Sequence, residues 1–272
     1  MQKRKNLIIT IFTGLLLTML LSTGCQSILV TRTGEKPSGE IETRQFDFTE
    51  FSRLEIGNAF DYEIKQSDTY SISITANDNL FDDIEVAKEE QTLKIGMEFP
   101  GVPWAIFNIG PKAKAVITMP QLYGLNSSGA TRGTVANFSS KENLEIEVSG
   151  ASSVELLEIS AGDIYFEVSG ASNVAGDIAT EDIDLDVSGA SSVQLDGSAS
   201  DIVIDASGAS HLKLSGLTVN DANITLSGAS DCTLNLNGRL DIDLSGASKL
   251  EYIGEPTIEE MDITGASTLK KK

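Results

Sequence analysis

The sequence predicts an all-β protein whose C-terminal half is a right-handed parallel β-helix, a solenoid of stacked coils. Two observations support this prediction. A Gly-Ala dipeptide recurs eight times between residues 129 and 266, at spacings of 18 to 21 residues. Apolar residues occupy alternate positions on both sides of each dipeptide, and a period of two is typical of a strand with one buried face.

Each coil supplies two predicted strands, one before and one after the dipeptide. The first strand has apolar residues six, four and two positions ahead of the glycine, as in Ile183, Leu185 and Val187 of one coil. The second strand has an apolar residue four positions beyond the glycine, as in Val193. Ordering about 19 residues costs on the order of 25 kcal/mol of conformational entropy, and so short a unit cannot bury its own apolar face. We therefore expect about eight coils of 18–21 residues, stacked in register.

The tetrapeptide Ser-Gly-Ala-Ser predicts the corner between the two strands. We expect its glycine to adopt a positive φ or to allow close backbone approach, its alanine to fill the interior, and its serines to hydrogen-bond neighbouring turns. Cys232 stands in a column of Val and Leu and is expected to pack in the core. The tetrapeptide is a poor candidate for a catalytic serine turn, because it recurs and the single histidine, His211, stands in a polar, solvent-facing column.

Four regions are predicted along the chain: a lipoprotein signal peptide at 1–24, a tether at 25–44, a β-rich part at 45–120 and the repeat β-helix at 121–272. Apolar alternation continues irregularly through residues 45–120 without a helical period. We expect this part to cap or extend the solenoid, because an open β-helix end exposes an unpaired edge.

The first residues are typical of an export signal. Three cations, Lys3 to Lys5, precede an uncharged run that ends at Leu21 and is followed by Ser-Thr-Gly-Cys25. This segment resembles a bacterial lipobox, with Ser22 where Leu is common, and predicts that Cys25 carries lipid. An ordinary cleaved signal peptide and an uncleaved membrane anchor are the alternatives. Each places the rest of the chain outside the cytoplasm. The lipoprotein prediction places it at the outer membrane, the cell surface or the outer face of the cytoplasmic membrane.

The charge of the chain argues against nucleic acid as a partner, and its cysteine content argues against a disulfide. Cleavage before Cys25 would leave 17 basic against 40 acidic side chains, so nucleic acid is a poor partner. Cys25 and Cys232 are the two cysteines. If Cys25 is acylated, no pair remains for a disulfide.

Several segments of the N-terminal half carry a family resemblance. They are Phe51-Ser-Arg-Leu-Glu-Ile-Gly-Asn-Ala-Phe60, Tyr62-Glu-Ile-Lys-Gln, Ile72-Ser-Ile-Thr-Ala-Asn-Asp-Asn-Leu80 and Leu93-Lys-Ile. Together with the Ser-Gly-Ala-Ser coils, they resemble the putative auto-transporter adhesin head GIN domain family over residues 45 to 269. The resemblance implies a β-helical, secreted or surface-anchored bacterial domain, and it brings no catalytic residues with it.

The column three positions before each glycine is the first candidate site. In six coils it is acidic, and alternation turns it outward; these residues, the acidic ladder, are Glu147, Glu167, Asp186, Asp205, Asp243 and Asp262. Strands about 4.8 Å apart would make adjacent carboxylates repel by roughly 1 kcal/mol in water. The ladder is either a solvated face that prevents lateral pairing of sheets, or a site for divalent cations or a basic partner.

An apolar segment at 99–111 is the second candidate. It holds the single tryptophan, Trp104, together with Ile106, Phe107 and three of the six prolines. Proline excludes a central strand. The segment either packs over the end of the solenoid or exposes these three side chains to a membrane or partner.

These features favour a non-enzymatic cell-envelope or surface lipoprotein, a β-helical scaffold for adhesion or envelope interaction. We expect no cofactor, unless the ladder binds a divalent cation. A polysaccharide-acting β-helix enzyme and a sensor subunit of an envelope signalling system are the alternatives. Coils of nearly one length disfavour the enzyme, because they insert no long loops to wall a cleft.

Overall fold

The computed structural model of the chain describes residues 39–97 and 113–272. The predictions for the signal peptide, for Cys25 and for the loop residues Trp104, Ile106 and Phe107 concern positions outside the described residues.

The described residues form strands throughout, with one 3-10 turn at Asp78–Leu80. The N-terminal strands are β1 (Ile41–Phe46), β2 (Arg53–Ile56), β3 (Asp61–Gln66), β4 (Ser71–Asn77), β5 (Ile84–Glu89), β6 (Thr92–Met97) and β7 (Lys114–Met119). The first repeat strands are β8 (Gly124–Ser127), β9 (Arg132–Ala136), β10 (Leu144–Val148), β11 (Ser153–Ser160), β12 (Ile164–Val168), β13 (Asn173–Ala179), β14 (Asp182–Val187) and β15 (Ser192–Ser198). The last are β16 (Asp201–Ala206), β17 (His211–Val219), β18 (Asp221–Leu226), β19 (Asp231–Leu236), β20 (Arg239–Leu244), β21 (Lys249–Ile253), β22 (Thr257–Ile263) and β23 (Thr268–Lys271).

The strands of the described residues are arranged in two sheets. Sheet A has the order β1-β4-β7-β3-β9-β11-β13-β15-β17-β19-β21-β23, and sheet B has the order β22-β20-β18-β16-β14-β12-β10-β8-β2-β6-β5. Each repeat coil gives one strand to each sheet, and equivalent strands pair in parallel, with Val187 opposite both Val168 and Ala206. The predicted β-helix of about eight two-strand coils, from β8 to β23, is confirmed.

The core lies between the two sheets and runs along the stack. Residues of the predicted inward columns are buried, with Ile183 at 2% exposure and Leu185, Val187 and Val193 at 0%. Burying each such side chain stabilises the fold by about 1.5–3 kcal/mol. Cys232 lies in this core as predicted, and its burial, with a smaller effect of Asp231, raises the pKa of the thiol to about 12.

Coil length varies without disturbing the columns. Most of the bulges lie late in the strands of sheet A, for example where β17 shifts register against β19 between Leu214 and Thr218, and one lies between β20 and β22 of sheet B. Before the bulge, Leu212 still lies opposite Cys232. The inward columns therefore stay aligned although the glycine spacing ranges from 18 to 21 residues.

The corner follows the prediction at glycine but not at alanine. Gly189 has a φ of +77°, and a Cβ on it would lie 2.4 Å from the carbonyl oxygen of Gly170, so both its conformation and its packing require glycine. The prediction that alanine points inward is wrong: alanine is exposed at every corner of the repeat, and the following serine is buried in the inner coils. Val187, Ser191 and Val193 all lie an even number of positions from Gly189, so alternation continues through the corner and turns the alanine outward. Ser210 satisfies its buried hydroxyl by donating to the carbonyl of Ser207 at 2.7 Å.

The N-terminal part extends the solenoid by two coils, in an order that differs from the chain. β2 and β3 stack directly on β8 and β9, whereas β6 and β7, which come later in the chain, lie beyond them. Antiparallel strands close this end, with β5 on β6 in sheet B and with β4 on β7 and β1 on β4 in sheet A. The predicted capping and extension are both observed. β1 begins at Ile41, so the tether predicted to reach residue 44 overlaps this strand and must end earlier.

A tyrosine joins the N-terminal part to the repeat. Tyr62 is buried, and its ring fills the space at Gly133, where a Cβ would lie 1.8 Å from the ring. Its hydroxyl is 2.9 Å from the Oγ of Ser127, which is itself 2.6 Å from the Oγ1 of Thr131. The polar Ser127 is thus satisfied in an otherwise apolar column, and burial raises the pKa of Tyr62.

Candidate functional site

The acidic ladder lies on the outer face of sheet B. Strand register places Glu147 opposite Glu167, Glu167 opposite Asp186 and Asp186 opposite Asp205. Thr225 lies between Asp205 and Asp243, and Asp243 lies opposite Asp262. All six acidic residues are exposed. The alternation that buries the neighbouring columns thus brings the predicted residues into one line on the surface.

The N-terminal end of this line is partly neutralised. The side-chain amide of Asn126 donates to Glu147 at 2.6 Å. In the next strands of the same column, Nζ of Lys94 lies 3.6 Å from a carboxylate oxygen of Glu55. The first carboxylate of the ladder therefore has a polar partner, and the column beyond it contains a basic side chain.

The centre of the ladder has no such compensation. Across the part of the chain that the structure describes, no basic side chain lies within ion-pair distance of Glu167, Asp186 or Asp205. Partial burial raises the pKa of Asp186, and the nearby charges of Asp205, Glu167 and Asp184 raise it further. The part of this rise that comes from the three neighbouring carboxylates reflects a negative potential that no basic neighbour offsets.

Sequence reasoning missed a second outward column of this face, in which Asp184 is the acidic residue beside the centre of the ladder. Asp184 lies one outward position earlier than the ladder, in register with Tyr165 and Val203. Tyr165 is 41% exposed and Val203 is 49% exposed. The same alternation that defined the ladder also indicates this second column, five positions before the glycine. The central face therefore combines carboxylates with exposed apolar surface.

The geometry of the ladder disfavours a tightly held metal ion. Within residues 39–97 and 113–272, no group of three or more His, Cys, Asp or Glu side chains is arranged to hold one. Ca²⁺ takes six to eight oxygen ligands, whereas a pair of adjacent rungs presents two carboxylates. A row of single charges is better matched to a partner that carries several cations along its length.

The outer face of sheet A is different near the C terminus, because its charges are paired there. An open groove there is lined by His211, Asp231, Lys249 and Glu251, among others. His211 Nδ1 contacts Asp231, and Glu251 accepts from Lys249 at 2.9 Å and from Lys272 at 3.1 Å. These two lysines lower the pKa of Glu251 to about 2. His211 is solvent-facing as predicted and is engaged in this surface network.

The fold and the two faces define a class of protein, a repetitive β-solenoid scaffold with extended surfaces in place of a deep cleft. Residues 50–256 match the family described as "Putative auto-transporter adhesin, head GIN domain", and the chain belongs to this family. The resemblance noted in the sequence is thereby confirmed. Among curated proteins, no sequence matches significantly.

Solved bacterial structures share the fold. A protein from Parabacteroides merdae described as a putative adhesin is 18% identical, with 88% of this chain and 98% of that chain covered and a TM-score of 0.79. A second, also described as a putative adhesin, from Parabacteroides distasonis, is 17% identical over 87% and 99% of the two chains, with a TM-score of 0.77. A third, from P. distasonis and described as a putative lipid binding protein, is 20% identical over 88% and 99%, with a TM-score of 0.69.

The family description, an adhesin head domain, indicates a surface or extracytoplasmic protein. In the described ranges, the chain forms no apolar helix of a length that would cross a bilayer.

Proposed function

We propose that this protein is a non-enzymatic envelope lipoprotein, held to a membrane through lipid on Cys25, whose solenoid is a scaffold for adhesion. Its contact surface is the outer face of sheet B, and its partner is a cationic polymer or a lysine-rich protein segment. The observation that carries the proposal is the uncompensated run Glu167, Asp186 and Asp205, set in register on a rigid sheet.

The spacing of the ladder explains how weak contacts could add up. A single exposed ion pair contributes about 0.2–1 kcal/mol, which is too little for adhesion. The ladder repeats one carboxylate per strand at about 4.8 Å, so an extended partner can engage several at once. The net charge of −20 would also speed the encounter with a cation.

The relatives support attachment more than catalysis. The family is described as an adhesin head, and two of the structural relatives are described as adhesins. The relative described as lipid binding and the exposed side chains of Tyr165 and Val203 leave room for an apolar contribution to the contact. The paired charges in the C-terminal part of sheet A favour sheet B as the face that meets the partner.

Binding of polylysine to the soluble protein, measured by titration calorimetry at several salt concentrations, tests the face. The variant Asp184→Asn/Asp186→Asn/Asp205→Asn removes three charges from sheet B. Its matched control, Glu155→Gln/Asp177→Asn/Asp196→Asn, removes three exposed charges from sheet A. We expect the first to weaken binding at least about tenfold and the second no more than about twofold. Equal losses would mean that only the net charge matters.

A divalent cation on the ladder is the alternative occupant. Melting of the protein with and without millimolar calcium, at constant ionic strength, separates it from a basic partner. A rise in melting temperature that disappears in Asp186→Asn/Asp205→Asn would assign the ladder to the cation. An unchanged melting temperature, together with the polylysine result, would assign it to the basic partner.

A further inference from the structure

The C-terminal end of the stack leaves a layer of core residues uncovered. Ile258, Met261 and Ile263 of β22 continue the inward columns that are buried in the preceding coil. They are 37%, 59% and 38% exposed, whereas the residues they oppose are at most 4% exposed. Among the described residues, no strand pairs with the outer edge of β22 or β23. Two open strand edges beside an apolar layer form a template for further strands.

The opposite end of the stack does not share this property. There, β5 and β6 pair antiparallel in sheet B, and β1, β4 and β7 do so in sheet A. The buried layer beneath them includes Ile72, Ile74 and Leu93, each at 0% exposure. The asymmetry makes the C-terminal end the candidate interface.

The two open edges carry opposite charges. β22 contains Glu259, Glu260 and Asp262, whereas β23 and the residue after it contribute Lys270, Lys271 and Lys272. These three exposed lysines also contact Glu251 or Glu255 of their own chain, so contacts with a second copy would add to or exchange with these pairs. An end that carries both signs on neighbouring edges can be complementary to itself.

We propose that this end binds the same end of a second copy of the chain, around a two-fold axis parallel to the strands. The rotation exchanges the two sheets, so β22 of one copy lies beside β23 of the other. The two strands of a coil run in opposite directions, and the new pairs are therefore antiparallel. Both edges are used in each copy, so the assembly closes as a dimer.

Charge selects this axis over the alternative. Rotation about an axis perpendicular to the sheets would pair β22 with β22 and β23 with β23, placing acid against acid and lysine against lysine. The axis parallel to the strands places Asp262 and its acidic neighbours against the lysines of the other copy. It also covers Ile258, Met261 and Ile263 with the equivalent layer.

Sedimentation equilibrium tests the dimer on the full chain in detergent and on residues 35–272, which form one compact unit with its own core. We expect a dimer in both. Asp262→Lys should raise its dissociation constant at least about tenfold, because it opposes lysine to lysine. The control Asp243→Lys makes the same change in the same column one coil earlier and should alter the constant less than about twofold.

Thermal melting distinguishes loss of the dimer from loss of the fold. Both lysine substitutions relieve carboxylate repulsion in one column, so neither should lower the melting temperature of the monomer. Met261→Glu, at a position already 59% exposed, is a second variant that should also separate the copies.

Three results would overturn the proposal. The first is a full chain that stays monomeric at every concentration, whether or not residues 35–272 dimerise. The second is an open-ended series of oligomers, which would mean stacking of one end on the other. The third is a dimer that neither Asp262→Lys nor Met261→Glu weakens.

Discussion

Val193 offers a direct test of the columns, because the next residue along the chain faces the other way. Val193 is fully buried and lies opposite Val174 and Leu212, whereas Gln194 is exposed. Val193→Asp removes about 1.5–3 kcal/mol of apolar burial. The introduced carboxyl must also stay protonated at pH 7, which costs about 4 kcal/mol for a group whose ordinary pKa is about 3.9. The sum of about 6 kcal/mol rivals the whole stability of a typical domain, at about 5–15 kcal/mol.

Urea unfolding followed by circular dichroism, at pH values between about 4 and 7, separates the two costs. The folded-state pKa of the introduced carboxyl is raised above its unfolded value, so stability is lost as pH rises above about 3.9. The difference from the neutral variant Val193→Asn should therefore be near zero at about pH 4 and grow by about 1.4 kcal/mol per pH unit. Gln194→Asp should cost no more than about 0.5 kcal/mol. Equal losses at 193 and 194, or a loss independent of pH, would refute the assignment of the strand faces.

Two further predictions concern the anchor and the join between the N-terminal part and the repeat. Cys25→Ala should abolish incorporation of radiolabelled lipid and release the protein from the membrane fraction, and lipid label on this variant would contradict the anchor. Gly133→Ala should destabilise the fold by about 1–3 kcal/mol in urea unfolding, because its methyl group overlaps the ring of Tyr62. Adding Tyr62→Leu should recover part of the loss. Full stability of Gly133→Ala alone would show that the ring does not occupy this space.

The repeat could be predicted closely because its signal is local. Inward positions such as Leu185 and Val193 follow from alternation around one glycine, and stacking multiplies the same pattern through every coil. The outward line of the acidic ladder follows from the same count, since equal coil geometry brings equivalent residues together. Asp184 was within reach of this reasoning, one outward step away.

The corner was also within reach of alternation, but the N-terminal order was not. Val187, Ser191 and Val193 all lie at even distances from Gly189, so the count that turns the two valines inward also turns Ser191 inward and the alanine outward. The position of β2 depends on pairing between Arg53 and Gly124, 71 residues apart. Local periodicity indicates that both segments are strands, but it carries no information about which strands are neighbours.

The long-range pairing of β2 with β8 implies that the two ends of the molecule differ in folding order and in how readily they gain or lose a coil. Coils of the repeat close contacts over about 20 residues, so they can nucleate early, whereas β2 and β3 must wait for β8 and β9 to provide a surface. Near the C terminus, duplication or loss of one short gene segment would change the stack by about 4.8 Å and by one acidic rung. At the N-terminal end, the order of the layers does not follow the order of the chain, because β6 and β7 lie beyond β2 and β3. Duplication of one segment there would not insert a layer beside its neighbours. The length of such a domain can thus evolve by one coil at a time near the C terminus, away from the N-terminal end that antiparallel strands close.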